Sequence, residues 1–166
     1  LIEVYGIVSN AQFKNLKLEG NNRTYGSSGT RFVFRFAAEE EMTYTGPFFQ
    51  FPTNCRVENC ELTSIQPDNS GLVQTNALTF RDPLEVGVRD LVVRDCEMVT
   101  SAQGIILNHI LSALFEGNRI RLQRRGGGFL TYAFWLSTQN ETNDLEVTIK
   151  DNVFDDVTMP QGAGGG

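Results

Sequence analysis

Cys55-Arg-Val57-Glu-Asn59-Cys60-Glu-Leu62 is the stretch from which the rest of the chain reads. Positions 55 and 57 face one way and their polar neighbours the other, which is the two-residue period of a strand. Asn59 then interrupts the alternation, and Cys60 and Leu62 resume it. Asn is one of the few residues that enters left-handed backbone angles at small cost, so Asn59 marks a tight corner between two strands. The pattern returns as Ala11-Gln-Phe13-Lys-Asn15-Leu16-Lys-Leu18, Leu91-Val-Val93-Arg-Asp95-Cys96-Glu-Met98, Ala113-Leu-Phe115-Glu-Gly117-Asn118-Arg-Ile120 and Val147-Thr-Ile149-Lys-Asp151-Asn152-Val-Phe154. With the first residue of each copy numbered zero, positions 0, 2 and 7 are apolar or Cys throughout. Position 4 is Asn15, Asn59, Asp95, Gly117 and Asp151; position 5 is Leu16, Cys60, Cys96, Asn118 and Asn152.

One chain built from one recurring unit is a solenoid. A second family of strand-like segments lies between the copies, each after a glycine: 29–36, 71–80, 104–107 and 128–136. Each coil therefore predicts three strands. The copies begin at residues 11, 55, 91, 113 and 147, and the shortest interval, 22 residues, suits one bare turn of a three-sided coil. The longer intervals are the same turn carrying insertions at 19–30, 38–53, 64–71, 80–89 and 137–144, rich in Gly, Asn, Ser, Pro and charge. Within them, Ala37 to Met42, with its three glutamates, predicts a short helix. The expected fold is all-β: a solenoid of about five coils over residues 11–157, in a single domain 1–166 with a Gly-rich tail at 158–166. Right-handed winding is the default for parallel crossovers. Leu1 at the start and Gly162-Ala-Gly-Gly-Gly at the end read as cuts through a longer polypeptide or as a processed product.

Stacked coils place equal positions about 4.8 Å apart. Position 3 points outward and reads Lys14, Glu58, Arg94, Glu116, Lys150, so its charge changes sign at every rung. Opposite charges attract across neighbouring strands, and this column played no part in defining the repeat.

Composition narrows the function. The 166 residues are 40% hydrophobic and 20% charged, as expected of a globular chain. A net charge of −6 and a pI near 4.8 exclude a nucleic-acid surface, which needs clustered Lys and Arg; Arg124-Arg125 is too short for one. No apolar run is long enough to span a bilayer, and no secretion signal is present. The three cysteines read as buried thiols, with Cys60 and Cys96 in one column. There is no Cys-x-x-Cys pair and one histidine, His109, so no metal and no cofactor is expected. Gly126-Gly-Gly128 is followed by no helix and is no phosphate cradle. Asn22-Arg-Thr24 and Asn140-Glu-Thr142 match the glycosylation acceptor but read as ordinary loop residues.

Val57-x-Asn59-Cys60-x-Leu62, repeated as Ile149-x-Asp151-Asn152-x-Phe154, resembles the strand–corner–strand signature of right-handed parallel β-helix proteins, the group of pectate-lyase-like enzymes and phage tailspikes. Asn118 and Asn152 resemble its stacked asparagine ladder, from which Cys60 and Cys96 depart. The resemblance spans about residues 11–157. It implies the fold but not one activity, because the group hosts lyases, hydrolases, adhesins and structural virion parts. Its phage members imply a homotrimer; its enzymes imply either paired carboxylates or calcium held by Asp and Glu.

Candidate residues follow. Glu61 and Glu97 stack at position 6 and are the carboxylate pair to test for glycan cleavage, against the plainer reading of a solvated face. Asp151, Asp155 and Asp156 offer three of the six or seven oxygens calcium needs, but Asp151 is committed to the corner. If Leu130, Tyr132, Phe134 and Leu136 face the core, then Phe129 and Trp135 face outward, where they would stack on a sugar, anchor a subunit, or lie under a loop. Phe48 and Phe49, with Phe51, form an apolar loop that something must cover, and Arg124 and Arg125 are further contact candidates. The reading favoured is a non-enzymatic structural or receptor- and glycan-binding module of a virion or extracellular surface, associating with its own copies or with other virion proteins. The alternative is a polysaccharide lyase or hydrolase acting on a surface glycan.

Overall fold

The computed structural model describes residues 2–5, 8–19, 31–37, 39–43, 46–64, 70–76, 87–100, 103–108, 110–124, 132–137 and 146–158. Every copy of the repeat gives two strands divided at its corner. In chain order these are β2 (Gln12–Lys14) with β3 (Lys17–Glu19), β7 (Arg56–Glu58) with β8 (Glu61–Ser64), β10 (Leu91–Arg94) with β11 (Glu97–Thr100), β13 (Ser112–Glu116) with β14 (Arg119–Arg124), and β16 (Glu146–Lys150) with β17 (Val153–Thr158). The segments between them give β1 (Ile2–Tyr5), β4 (Arg31–Ala37), β9 (Ser70–Asn76), β12 (Gln103–Asn108) and β15 (Tyr132–Ser137).

These strands form three five-stranded sheets, ordered β2-β7-β10-β13-β16, β3-β8-β11-β14-β17 and β1-β4-β9-β12-β15, with every pairing parallel. The chain visits the three sheets in turn and returns one place further along each. That is all-β structure with parallel strands stacked as in a β-solenoid. Phe13, Val57, Val93, Phe115 and Ile149 are consecutive partners in one column, as the repeat requires.

The corner at position 4 works as its residues suggest. Asn15, Asn59, Asp95 and Asp151 have φ between 52° and 57°, and Gly117 has φ 64°. A second left-handed corner stands one residue before three of the copies, at Asn10, Asn54 and Asp90 (φ 61°, 50° and 54°). Thr53 bridges to both Ser9 and Arg89, so the segments around 53 and 89 are part of the coil and not of the insertions 38–53 and 80–89. The helix expected over Ala37 to Met42 is also corrected. β5 (Glu39–Thr43) and β6 (Gly46–Gln50) form an antiparallel hairpin. A helix of about six residues is marginal in water, whereas pairing with the next segment satisfies the same backbone groups.

One apolar core fills the space between the sheets. Phe34 and Phe36 from the third sheet, Val57 and Phe115 from the first, and Leu62 and Met98 from the second are all fully buried. Ring contacts Phe13–Phe34 at 5.2 Å and Phe115–Phe134 at 4.9 Å tie the first sheet to the third.

Position 5 lines this core with polar atoms. The Asn118 amide donates to the Val93 carbonyl at 2.9 Å, and Asn152 donates to the Phe115 carbonyl at 2.9 Å. Asn118 Oδ1 accepts the Cys96 N–H at 3.0 Å, and Asn152 Oδ1 accepts the Asn118 N–H at 2.9 Å. Cys96 repeats the geometry with a weaker donor: its thiol faces the Val57 carbonyl at 3.6 Å and the Arg94 carbonyl at 3.2 Å. Cys60 faces Phe13 and Glu58 in the same way. Each side chain thus bonds the position-2 carbonyl of the coil before it.

The three cysteines are free and buried. Burial pushes the Cys96 thiol up to about 12 and raises that of Cys55 as well. An acid whose folded value is raised leaves stability intact below its unfolded value and removes it as pH rises beyond that point. We therefore expect no thiol to react with an aromatic disulfide reagent at pH 8 until the chain unfolds, and the urea midpoint to fall between about pH 9 and pH 11. Rapid labelling of a thiol in the folded chain would contradict this burial.

Candidate functional site

The charge column is built as its alternation implies, with one correction. Lys14 Nζ and Arg94 lie 2.8 and 2.9 Å from the Glu58 carboxylate, and Lys150 Nζ lies 2.6 Å from Glu116. Glu58, expected on an exposed face, is only 8% exposed because the cations from the rungs on either side close over it, with Arg56 adding a contact at 3.7 Å. The hydrogen bond from Lys14, with the charges of Lys14, Arg94 and Arg56, holds its carboxyl below the ordinary value despite partial desolvation. A depressed carboxyl contributes stability above its unfolded value and loses it as pH falls through the folded one. Between about pH 5 and pH 3 the parent chain should lose more stability than Glu58→Gln, measured by urea unfolding at both values. Parallel losses in the two chains would show that Glu58 carries none of the acid sensitivity.

The corner between the first and second sheets carries a cleft of about 310 Å³, lined by Asn15, Leu16, Lys17, Asn59, Cys60, Glu61, Asp95 and Glu97. The left-handed turns open it, since they swing β3, β8 and β11 away from the strands before them. Asn59 Nδ2 donates to Asn15 Oδ1 at 2.6 Å and stiffens its floor. Glu61 and Glu97 are direct partners on adjacent rungs, as their shared column required, and both are exposed. Lys17 Nζ sits 2.9 Å from Glu61, and that hydrogen bond raises the lysine above its usual value. Neither glutamate is enclosed by apolar groups. The cleft presents hydrogen-bonding groups and net negative charge to water. Asp95, read from the sequence only as a corner, is its third carboxylate.

The remaining candidates lie on separate elements. Phe48 and Phe49 are in β6, opposite Glu41 and Glu40 across the hairpin, and the neighbouring Phe51 is 8% exposed within the core cluster. Arg124 closes β14 beside Thr158. Trp135 lies in β15 beside Ile106, and its side chain, like Phe129 and Arg125, falls outside what the structure describes. Ile106 itself is buried. Of the three aspartates weighed for calcium, Asp151 forms its corner and Asp155 receives Arg119 Nε at 2.7 Å. Both asparagine glycosylation sequences and His109 lie outside the described residues. Among the described residues no helix is long and apolar enough to cross a membrane.

The open end of the last coil, which a solenoid sequence implies, is a further surface. Leu136, Ile149 and Phe154 are 42–48% exposed. Their partners one coil earlier, Leu107, Phe115 and Ile120, are buried in the same columns. The three residues have core positions, and no coil among the described residues lies above them. Counting the copies would have located this end, because an apolar position 2 or 7 needs a following rung to cover it.

No family model, no curated protein and no solved structure matches the chain.

Proposed function

We propose that this chain is a non-enzymatic structural module that works by assembly, with the winding of a right-handed parallel β-helix. One observation carries the reading: the last coil leaves Leu136, Ile149 and Phe154 exposed at core positions and leaves the free edges of β15, β16 and β17 unpaired by the described residues. Open parallel edges flanked by apolar side chains are templates for further strands. The family resemblance adds the setting, a virion or extracellular surface, and a lateral homotrimer built on the sheet faces. The polar cleft at Glu61, Asp95 and Glu97 would hold neutral sugar hydroxyls by hydrogen bonds.

Sedimentation in solution, with a screen of acidic and neutral glycans for depolymerisation, tests this. The expected result is an oligomer that leaves every glycan intact. A single chain that shortens a polymer, and loses that activity in Glu61→Gln with Glu97→Gln, would replace it with the lyase or hydrolase reading.

A further inference from the structure

We infer that two copies of this chain join end to end through β16, on a two-fold axis passing through Thr148. The inference rests on the assembly reading above and names the partner as a second copy.

A solenoid ends in a staircase. Among the described residues β15, β16 and β17 are the last strands of the three sheets, each about a third of a coil beyond the one before. A two-fold axis across the stack, centred over the middle step, brings the lowest step of one copy onto the highest step of the other. β16 then meets β16, β15 meets β17, and β17 meets β15, all antiparallel and all at one strand spacing, about 4.8 Å. β15 and β17 match in length at six residues each, and β16 has five, so its midpoint is a residue.

Backbone direction limits the register. The Glu146 N–H donates to the Leu111 carbonyl, and the Lys150 carbonyl accepts from Gly117, both towards the body of the solenoid. Successive strand residues alternate, so Val147 and Ile149 turn their N–H and C=O groups to the free edge. An antiparallel partner must therefore be centred on residue 147, 148 or 149. Charge chooses between these. Centred on Thr148, Glu146 lies opposite Lys150 of the second copy and Lys150 opposite its Glu146, while Val147 meets Ile149 on the inner side. Centred on Val147, Glu146 meets Thr148; centred on Ile149, Lys150 meets Thr148. Only the middle register matches both charges. Head-to-tail stacking is disfavoured by the same rule, because it sets Lys150 over Lys14 and Asp155 over Glu19.

Four variants, two of them cysteine probes for cross-linking, test the pairing in the full chain. The parent should sediment at twice the mass of Lys150→Glu, with the Kd for association raised roughly tenfold or more in the variant. Adding Glu146→Lys to Lys150→Glu restores opposite charges and should restore the parent mass, although the contact with Glu116 stays disrupted. Thr148→Cys places two thiols across a pair of close antiparallel positions and should cross-link two copies under air oxidation. Gln12→Cys, at the far end of the same sheet, should not. A parent mass unmoved by Lys150→Glu, or Thr148→Cys that stays uncrosslinked, overturns the inference. If the parent still forms oligomers, assembly runs through another surface and only the inference fails; a parent that remains a single chain and cuts a glycan defeats the assembly reading as well. Should Lys150→Glu fail to fold, the Thr148→Cys result decides alone.

Discussion

Asn118→Ala should lower stability by about 3 kcal/mol, because it leaves the buried Cys96 N–H without its partner and takes a second donor from the Val93 carbonyl. Asn118 is 1% exposed. Its amide satisfies the Val93 carbonyl and its oxygen accepts the Cys96 N–H. Alanine offers neither: the Val93 carbonyl, which faces β13 in the ladder, loses one of its donors, and the Cys96 N–H, walled by buried apolar side chains, is left unmet. The unmet N–H costs about 1–3 kcal/mol and the lost bond to the carbonyl about 1, which together outweigh the small gain from alanine's lower side-chain entropy loss. The sequence provides its own control. Cys96 occupies the same column and faces the preceding coil's carbonyl with its thiol. Asn118→Cys should therefore lose about 1 kcal/mol, the difference between a good donor and a weak one. Urea unfolding followed by circular dichroism, in reductant to prevent pairing of stacked thiols, measures both. If the alanine and cysteine variants lose the same amount, the ladder contributes packing and not hydrogen bonds.

That column shows what the sequence made legible. Position 4 could be read because left-handed backbone restricts the choice to Asn, Asp and Gly, and the whole register followed from it. The sign changes at position 3 could be read because charges one rung apart must compensate. What lay beyond reach depended on the third dimension. Cys60, Cys96, Asn118 and Asn152 were visibly one column, but which carbonyl each bonds depends on how far its side chain leans towards the preceding coil. Asn10, Asn54 and Asp90 were missed as corners because they sit among polar residues that look like any loop. The hairpin of β5 and β6 was misread because a run of glutamates carries neither the period of a strand nor that of a helix. At the site, the pairing of Glu61 with Glu97 came from the repeat, whereas the cleft did not, since its shape comes from the curvature at Asn15, Asn59 and Asp95. Glu58 went the other way: it sits in an outward-facing column, and it is buried because the basic side chains of the rungs on either side meet over it.

Gly104→Ala is the substitution expected to do the most damage. A Cβ at this position would run into the Ala133 carbonyl oxygen and lie 3.1 Å from its carbon, both backbone atoms of the adjacent strand. Gly104 is in β12 and Ala133 in β15, and the two strands are paired on either side of this point, at Gln103 and from Ile105 to Asn108. A flexible side chain would swing aside; a strand held by a hydrogen-bond ladder cannot without widening the sheet. Overpacking a rigid site typically costs about 1–3 kcal/mol, and here the relief itself breaks ladder bonds, so a loss of about 3 kcal/mol or more is expected. The location adds a second signature. Solenoid stability is a sum over neighbouring rungs, and β15 is the last strand of its sheet. Displacing it loosens one end and leaves the coils behind intact. Phe134, which packs edge-on against Phe115 at 4.9 Å, would lose that contact while Phe34 and Val57 keep theirs. Hydrogen exchange should therefore show β15 unprotected in the variant and β7 to β11 still protected, alongside a reduced urea midpoint. A variant within about 0.5 kcal/mol of the parent, with β15 still protected, would show that the two strands do not approach as closely as this backbone places them.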